Sequence, residues 1–235
     1  MADISRKFGF SMIIWNQNNK IWGHFDDNFE VEVNADDEQF LHLKCIVVGL
    51  NAPIYCYIVY SKCNKVAREC IWNFMRLVAD QGGQWMICRD FNMVLSTNKC
   101  SNGTYPTHHS IEEFRKVIFD CGLLDVGFDG SAYTWTYHRL WQRLDRVLFS
   151  GEWVDNFPLT KVTHLSRFSS DHCPLLLQLW STSKTSPSSF RFQNMWCHHV
   201  SFQDMLFSCW DAPIGVGGML KLKMKLKRLK LWLKQ

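Results

Sequence analysis

Alternation of apolar and polar residues over the first 180 positions predicts a chain rich in β-strands. Residues 29–33 ("FEVEV") show the clearest alternation, because every second residue is apolar or aromatic. Other segments are short apolar runs rich in Val, Ile, Leu and aromatic residues, which favours buried strands. The predicted strands are 11–15, 29–33, 39–50, 53–61, 84–88, 132–138, 143–149, 161–165 and 173–180.

Two segments change from the strand period to a helical one. The first is 65–80, which ends at Gly82. Its apolar stripe consists of Val66, Cys70, Phe74 and Leu77. The second helix opens with a capping box between Ser110 and Glu113 and ends at Gly122. Its inner face consists of Ile111, Phe114, Val117 and Ile118.

Composition divides the chain into three parts. Residues 1–180 carry the predicted strands and helices, and 181–189 ("STSKTSPSS") have the composition of a linker. Residues 190–235 form an extension whose last part predicts a basic amphipathic helix over 218–235. The alternation of Lys and Leu up to Arg228 also fits a strand. We favour a helix because this part is long and lacks β-branched residues.

Charge is distributed unevenly along the 235 residues. The net charge is +4, but seven of the 26 basic residues lie in the last seventeen positions, where no acidic residue occurs. The other 218 residues hold the remaining 19 basic and all 22 acidic residues, a net charge of −3. This part therefore lacks the global positive charge typical of non-specific nucleic-acid binding, and a local basic groove remains open.

Cysteine usage and hydropathy favour an intracellular protein. Ten cysteines occur without a C-x-x-C pair, and no signal peptide precedes them. No apolar run reaches the roughly 18 residues that span a bilayer. We therefore expect reduced thiols, no membrane segment, and an intracellular location for which the nucleus is one compatible compartment.

Polar residues stand at the ends of several apolar strands and point to a shared site. They are Tyr60, Asp90, Asn92, Asp145, Asp171 and His172. Carboxylates suit Mg²⁺, and a His beside an Asp suits acid–base chemistry or charge stabilisation on a phosphate. Taken singly, Asp90 with Asn92 also fits an Asx-turn, and Asp145 fits a surface ion pair with its flanking arginines. The others fit a loop cap or ordinary core packing, so only the joint pattern favours a site.

That joint pattern resembles a known superfamily. The strings "MICRDFNMVL", "AYTWTY", "QRLDRVLF" and "SSDHCPLLL", in this order, resemble the endonuclease/exonuclease/phosphatase superfamily. The set, together with "FRFQNMW" at 190–196, is most similar to the endonuclease domain of plant LINE-type (non-LTR) retrotransposons. The resemblance implies a DNase I-like four-layer α/β sandwich, in which two packed β-sheets are flanked by helices. It also implies a monomeric, Mg²⁺-dependent phosphodiesterase that acts on DNA.

The resemblance assigns a catalytic role to five of the polar residues. Asp90 is expected to orient or deprotonate the attacking water, and Asn92 to hold this water and the phosphate. His172 is expected to donate to a non-bridging phosphate oxygen, and Asp145 to fix its tautomer. Tyr60 resembles a tyrosine that contacts the phosphate or the leaving group.

The remaining assignments concern the metal and the nucleic acid. Asp171 is expected at the Mg²⁺ ion, and Arg143 and Arg146 are expected to contact DNA.

Two departures from the family pattern point to impaired activity. The family begins with a strand that ends in Asn and another that ends in a metal-binding Glu, and neither string occurs here. We therefore expect a domain that lacks its first strands. Arg89 replaces the family Gly, and its positive charge beside Asp90 should oppose Mg²⁺ binding.

Three functions compete on these observations. The first is a DNA endonuclease of the retrotransposon type, with weak activity. The second is a catalytically dead relic that persists as a folded or nucleic-acid-binding fragment. The third, a small-molecule or lipid phosphatase of the same superfamily, is disfavoured by "RLDR" and "FRFQNMW".

Overall fold

The computed structural model describes residues 7–97, 100–101, 107–179, 196–197, 199–213, 215 and 218–233. The chain separates into two compact units, Met1–Ser188 and Ser189–Gln235. The predicted linker 181–189 lies outside the described residues, as does all of "FRFQNMW" except Trp196.

Thirteen strands lie within the described part of the first unit. They are β1 (Met12–Trp15), β2 (Trp22–Phe25), β3 (Phe29–Asp36), β4 (Phe40–Val47), β5 (Ile54–Tyr60), β6 (Trp85–Asp90), β7 (Cys100–Ser101), β8 (Asp129–Gly130), β9 (Trp135–Tyr137), β10 (Leu140–Gln142), β11 (Asp145–Phe149), β12 (Lys161–His164) and β13 (Leu175–Gln178). Its helices are α1 (Lys65–Gln81), α2 (His108–Asp120) and α3 (Gly151–Asn156).

Two sheets pack face to face and enclose the main core. The larger sheet has the order β11-β6-β5-β4-β3, with β5 and β6 parallel and the other neighbours antiparallel. The smaller has the order β13-β12-β8. Alternate residues of each strand meet between the sheets, as Leu41 and Leu43 of β4 do with Val162 of β12. This alternation is the pattern that the sequence predicts.

Helices α1 and α2 cover the outer face of the larger sheet. Phe74 of α1 stacks on Phe40 of β4 with ring centroids 4.4 Å apart, and Trp72 of α1 stacks on Phe114 of α2. In the described part of the first unit, no helix covers the outer face of the smaller sheet, where Lys161 and Leu176 are exposed.

The apolar stripe predicted for α1 is wrong, although the helix itself is confirmed. Val66 and Leu77 are exposed, and the buried face consists of Arg68, Ile71, Trp72, Met75 and Val78. Two apolar stripes lie side by side on this helix, and the one with the larger side chains is buried because it removes more apolar surface from water.

The predicted capping box of α2 is also wrong. The helix begins at His108, and its N-cap is Thr107, whose hydroxyl accepts from the Ser110 amide at 3.3 Å. Glu113 accepts a hydrogen bond from the indole of Trp72 at 3.0 Å instead. The predicted inner face of α2, from Ile111 to Ile118, is buried as expected.

Four short strands of two to four residues, β2, β7, β8 and β10, are missed by the sequence analysis. β7 and β8 have only two residues each, which is too short for a period to be visible. Strand β8 depends on Gly130, which has φ +96° and leaves no room for a Cβ against the His164 carbonyl of β12. Such pairing requires Gly rather than an apolar pattern.

Among the described residues of the second unit are two helices, α4 (Phe202–Asp211) and α5 (Gly218–Trp232). Helix α5 agrees with the predicted basic helix, whereas α4 is missed. Arg228 of α5 donates to the carbonyls of Cys209 and Ala212 at the end of α4, which satisfies groups that a helix end leaves unpaired. No described helix is long and apolar enough to cross a membrane.

Candidate functional site

Three neighbouring strands bring polar residues to one end of the larger sheet. Asp90, the last residue of β6, pairs in register with Asp145, the first residue of β11. Asp90 also pairs with Tyr60, the last residue of the parallel strand β5. Three residues that are far apart in sequence thus lie side by side.

An Asp–His pair, in which Asp145 is buried and His172 is partly exposed, forms the centre of this group. His172 Nδ1 and Asp145 Oδ2 are 2.8 Å apart, in agreement with the pairing predicted from the sequence. Asp145 is 6% exposed, and Thr134 accepts hydrogen bonds from the backbone amides of Leu144 and Asp145, which fixes the start of β11. The hydrogen bond to Asp145 raises the pKa of His172. Because Nδ1 is occupied, Nε2 is the nitrogen that remains for a ligand.

Asp90 and Asn92 form a second, connected pair. The backbone amide of Asn92 donates to Asp90 Oδ1 at 2.8 Å, and its side-chain Nδ2 donates to the Ser61 carbonyl. Asn92 has φ +50°, a left-handed conformation that Asn tolerates. Burial raises the pKa of Asp90 to about 6, and the nearby Asp145 adds to this shift. The Asx-turn is therefore present together with the site geometry.

Asp171 and Tyr60 lie at the solvent side of the group. Asp171 is exposed, and its Oδ2 accepts from the Trp135 indole at 3.1 Å, a hydrogen bond that lowers its pKa. Tyr60 is 40% exposed, and Lys20 Nζ lies 5.4 Å from its ring centroid. All six polar residues singled out in the sequence therefore lie at the same end of the sheet.

The two arginines predicted to contact DNA are not at the surface. Arg143 and Arg146 are both buried, and Arg143 Nη1 pairs with Asp125 at 2.8 Å. Arg146 donates to the Arg143 carbonyl and lies 3.8 Å from Asp125. Their position corrects the sequence analysis, because a guanidinium in this interior network has no access to a polynucleotide. We do not include them in the site.

Arg89 has an unusual backbone conformation. Its φ is +96°, which L-residues with a Cβ adopt only at a cost. Arg89 is exposed and directly precedes Asp90. The left-handed backbone explains why Gly suits this position, and the guanidinium contributes to the electrostatic surroundings of Asp90.

Comparisons with known proteins agree with this architecture. No protein-family profile matches the chain, and no curated protein matches it. The endonuclease domain of TRAS1, a telomere-specific non-LTR retrotransposon, superposes with a TM-score of 0.56 and 14% identity over 72% of this chain and 79% of that chain. The 3′ phosphatase NExo from Neisseria, solved with a product DNA hairpin, gives 0.55 and 18% identity over 76% and 82%. The chain has a DNase I-like fold.

The carboxylates of this DNase I-like chain do not fit a preformed Mg²⁺ site by themselves. Asp145 is engaged by His172, Asp90 by the Asn92 amide, and Asp171 by Trp135. Within the described ranges, no group of three or more His, Cys, Asp or Glu side chains is placed to hold a metal ion. Mg²⁺ needs six oxygen ligands in near-octahedral geometry, so most of them would have to come from water and substrate.

Two residues that support the site are missed by the sequence analysis. Thr134 positions the start of β11, and Trp135 holds Asp171 and also bridges to His172 through the backbone. Both belong to the string "AYTWTY", which carries part of the resemblance. A Thr between two aromatic residues of an alternating strand is the only local signal for a buried hydroxyl.

Proposed function

We propose that the first unit is a phosphodiesterase domain of the DNA endonuclease type, related to retrotransposon endonucleases, with low intrinsic activity. The observation that carries this proposal is the His172–Asp145 pair, 2.8 Å long, next to Asp90 and Asn92. Asp145 holds the imidazole in the tautomer that presents Nε2. The raised pKa of His172 favours the protonated form, which donates to a phosphate oxygen as negative charge develops there.

Asp90 supplies the other half of the proposed chemistry. With a pKa of about 6, its carboxylate is deprotonated at neutral pH and is basic enough to accept a proton from water. The attacking water loses this proton to Asp90 as its oxygen bonds to phosphorus, the bond to the leaving oxygen breaks, and the leaving oxygen takes a proton from solvent. Asn92, fixed by Ser61, orients the water or the phosphate.

Low activity follows from the poor arrangement of the carboxylates for binding a metal ion. In the described part of the chain the carboxylates do not form a ligand cluster, and the exposed guanidinium of Arg89 opposes a cation beside Asp90. We therefore propose dependence on Mg²⁺ with weak binding, so that the substrate phosphate has to complete the coordination shell.

Nicking of supercoiled plasmid at a series of Mg²⁺ concentrations tests the function. We expect slow conversion to open circles that EDTA abolishes and that rises with pH through about 6, as Asp90 loses its proton. His172→Ala should remove it, whereas His108→Ala, at an exposed histidine of α2, should not. Equal rates for the two variants would refute the assigned role of His172.

A catalytically dead relic is the second candidate, and the lack of a ligand cluster among the described residues together with the strained Arg89 favours it. It predicts no nicking by the wild type at any Mg²⁺ concentration, even when the protein binds the plasmid in a gel-shift assay.

A further inference from the structure

A pocket of about 190 Å³ lies next to the candidate site and is not needed for the proposed chemistry. It is formed where three segments meet: the β1–β2 turn, the β3–β4 turn and the chain that follows β5. Tyr60 and Asn92 of the candidate site line it on one side. Lys20, Lys62 and Cys63 line it as well. Because Tyr60 and Asn92 belong to the candidate site, a ligand in the pocket would lie close to the proposed reaction centre.

The walls of this pocket are fixed by buried polar side chains. Asn16, which is fully buried, accepts from the amides of Lys20 at 3.0 Å and Ile21 at 2.9 Å. Gln39 is also buried, and its Oε1 accepts from the Lys62 amide at 2.8 Å while its Nε2 donates to Ala67 of α1. The backbones of both lysines are therefore held in place before any ligand binds.

The charges in the pocket favour an anion. Lys20 and Lys62 contribute two positive charges, and Glu38 contributes one negative charge. Lys62 Nζ pairs with Glu38 Oε2 at 2.7 Å, but both side chains are more than half exposed, so the pair is weak and its ammonium is available for exchange. The Lys20 ammonium rests against the half-exposed ring of Tyr60.

We infer that this pocket binds the nucleotide next to the phosphodiester that is cleaved. Lys20 and Lys62 bind its phosphate, and the exposed ring of Tyr60 packs against its sugar or base. The inference rests on the proposed function, because it takes the polynucleotide as substrate. Lys20 and Lys62 are positioning residues in this account: they hold the strand so that the neighbouring phosphate lies between His172 and Asp90.

Cys63 allows a direct test, because this exposed thiol lines the pocket. The 235-residue chain is treated with iodoacetamide in EDTA, and the alkylation rate of each cysteine is followed by mass spectrometry. The measurement is repeated with a saturating single-stranded DNA oligonucleotide, with saturation established by fluorescence anisotropy. We expect DNA to slow alkylation of Cys63 at least threefold, and to slow that of Cys197, an exposed thiol outside the pocket, by less.

Variants connect this protection to the two lysines. At a fixed, subsaturating DNA concentration, Lys20→Gln and Lys62→Gln should each reduce the protection of Cys63. Lys44→Gln is the matched control for Lys62→Gln, because it removes a comparable Lys–Glu pair, 2.9 Å long, on β4 and away from the pocket. An unchanged Cys63 rate at saturation, or equal protection in all three variants, would overturn the inference.

The test separates this inference from the proposed function. Alkylation is measured in EDTA and requires no cleavage. Protection of Cys63 without any plasmid nicking would support the pocket and count against the hydrolytic function. Plasmid nicking without protection of Cys63 would support the hydrolytic function and count against DNA binding in the pocket.

Discussion

At the residue scale, Arg89 is the position where the sequence conflicts most with the backbone. A left-handed conformation costs a residue with a Cβ about 1–2 kcal/mol, and Gly avoids this cost. We expect Arg89→Gly to raise the free energy of unfolding by about 1 kcal/mol, as measured by urea denaturation. Arg89→Ala is the control, because it removes the guanidinium but keeps the Cβ and so keeps the strain.

The same two variants separate strain from charge. Both should strengthen Mg²⁺-dependent nicking if the guanidinium opposes the cation, but only the Gly variant should be more stable. A Gly variant no more stable than the Ala variant would show that the left-handed φ of Arg89 carries no cost in this fold.

The Asp145–His172 pair makes a prediction about titration. The hydrogen bond to Asp145 raises the pKa of His172, so its stabilising effect is present below the unfolded pKa of 6.5 and is lost as the pH rises through the folded value. We expect Asp145→Asn to lower the pKa of His172, as followed by NMR of the imidazole ring protons. The exposed His108 serves as internal control, and an unchanged His172 titration would contradict the pairing.

Residues of the candidate site could be predicted from the sequence where several strands each end in a polar residue. Asp90, Asp145 and His172 belong to this class, and the structure brings them together. Arg143 and Arg146 could not be placed, because the charge of an arginine does not show whether it faces water or Asp125, which is 18 residues away in sequence from Arg143. That decision depends on tertiary packing.

At the element scale, period and length decide which elements the sequence can predict. The long strands β3, β4 and β5 and the helices α1 and α2 have several turns or alternations each, and all are predicted. The two-residue strands β7 and β8 have no visible period and depend on pairing with neighbours that are distant in sequence. The buried face of α1 could not be predicted for a different reason: two adjacent stripes on this helix are both apolar.

The contact between β4 and α1 carries a titratable group. His42 is 6% exposed, stacks on Tyr57 and lies edge-on to Phe74, and its Nδ1 is 2.9 Å from the Tyr57 hydroxyl. Its Nε2 is buried without a hydrogen-bond partner within the described part of the chain. Burial lowers the pKa of His42 to about 4.

Acid should therefore destabilise this contact. Between pH 6.5 and about 4 the unfolded chain binds a proton that the folded chain does not, so the free energy of unfolding falls by a few kcal/mol at most. We expect His42→Phe, which keeps an aromatic ring, to flatten the pH dependence of urea unfolding in this range. His109→Phe, at an exposed histidine, should not, and equal slopes for the two variants would contradict the prediction.

At the scale of the whole molecule, basic charge is concentrated at the C-terminal end of the second unit. Residues 1–218 have a net charge of −3, and the last seventeen residues carry seven basic groups without an acid. In the described part of α5, Lys225 lies over the Trp210 ring, and Arg228 donates hydrogen bonds to carbonyls at the end of α4. These two groups stabilise the helix pair, whereas Lys221 and Lys227 are exposed.

This distribution of charge predicts that most non-specific DNA affinity comes from α5, while the pocket near Tyr60 positions the strand. Each phosphate contact changes the slope of log K against log salt by about 0.9 for duplex DNA. The double variant Lys221→Gln, Lys227→Gln should therefore weaken binding and reduce the slope by up to about 1.8 in anisotropy titrations between 50 and 200 mM salt. The matched control is Lys116→Gln, Lys161→Gln, with the same charge change at exposed positions in the first unit. If this control reduces the slope as much as the α5 variant, the affinity is not located in the basic helix.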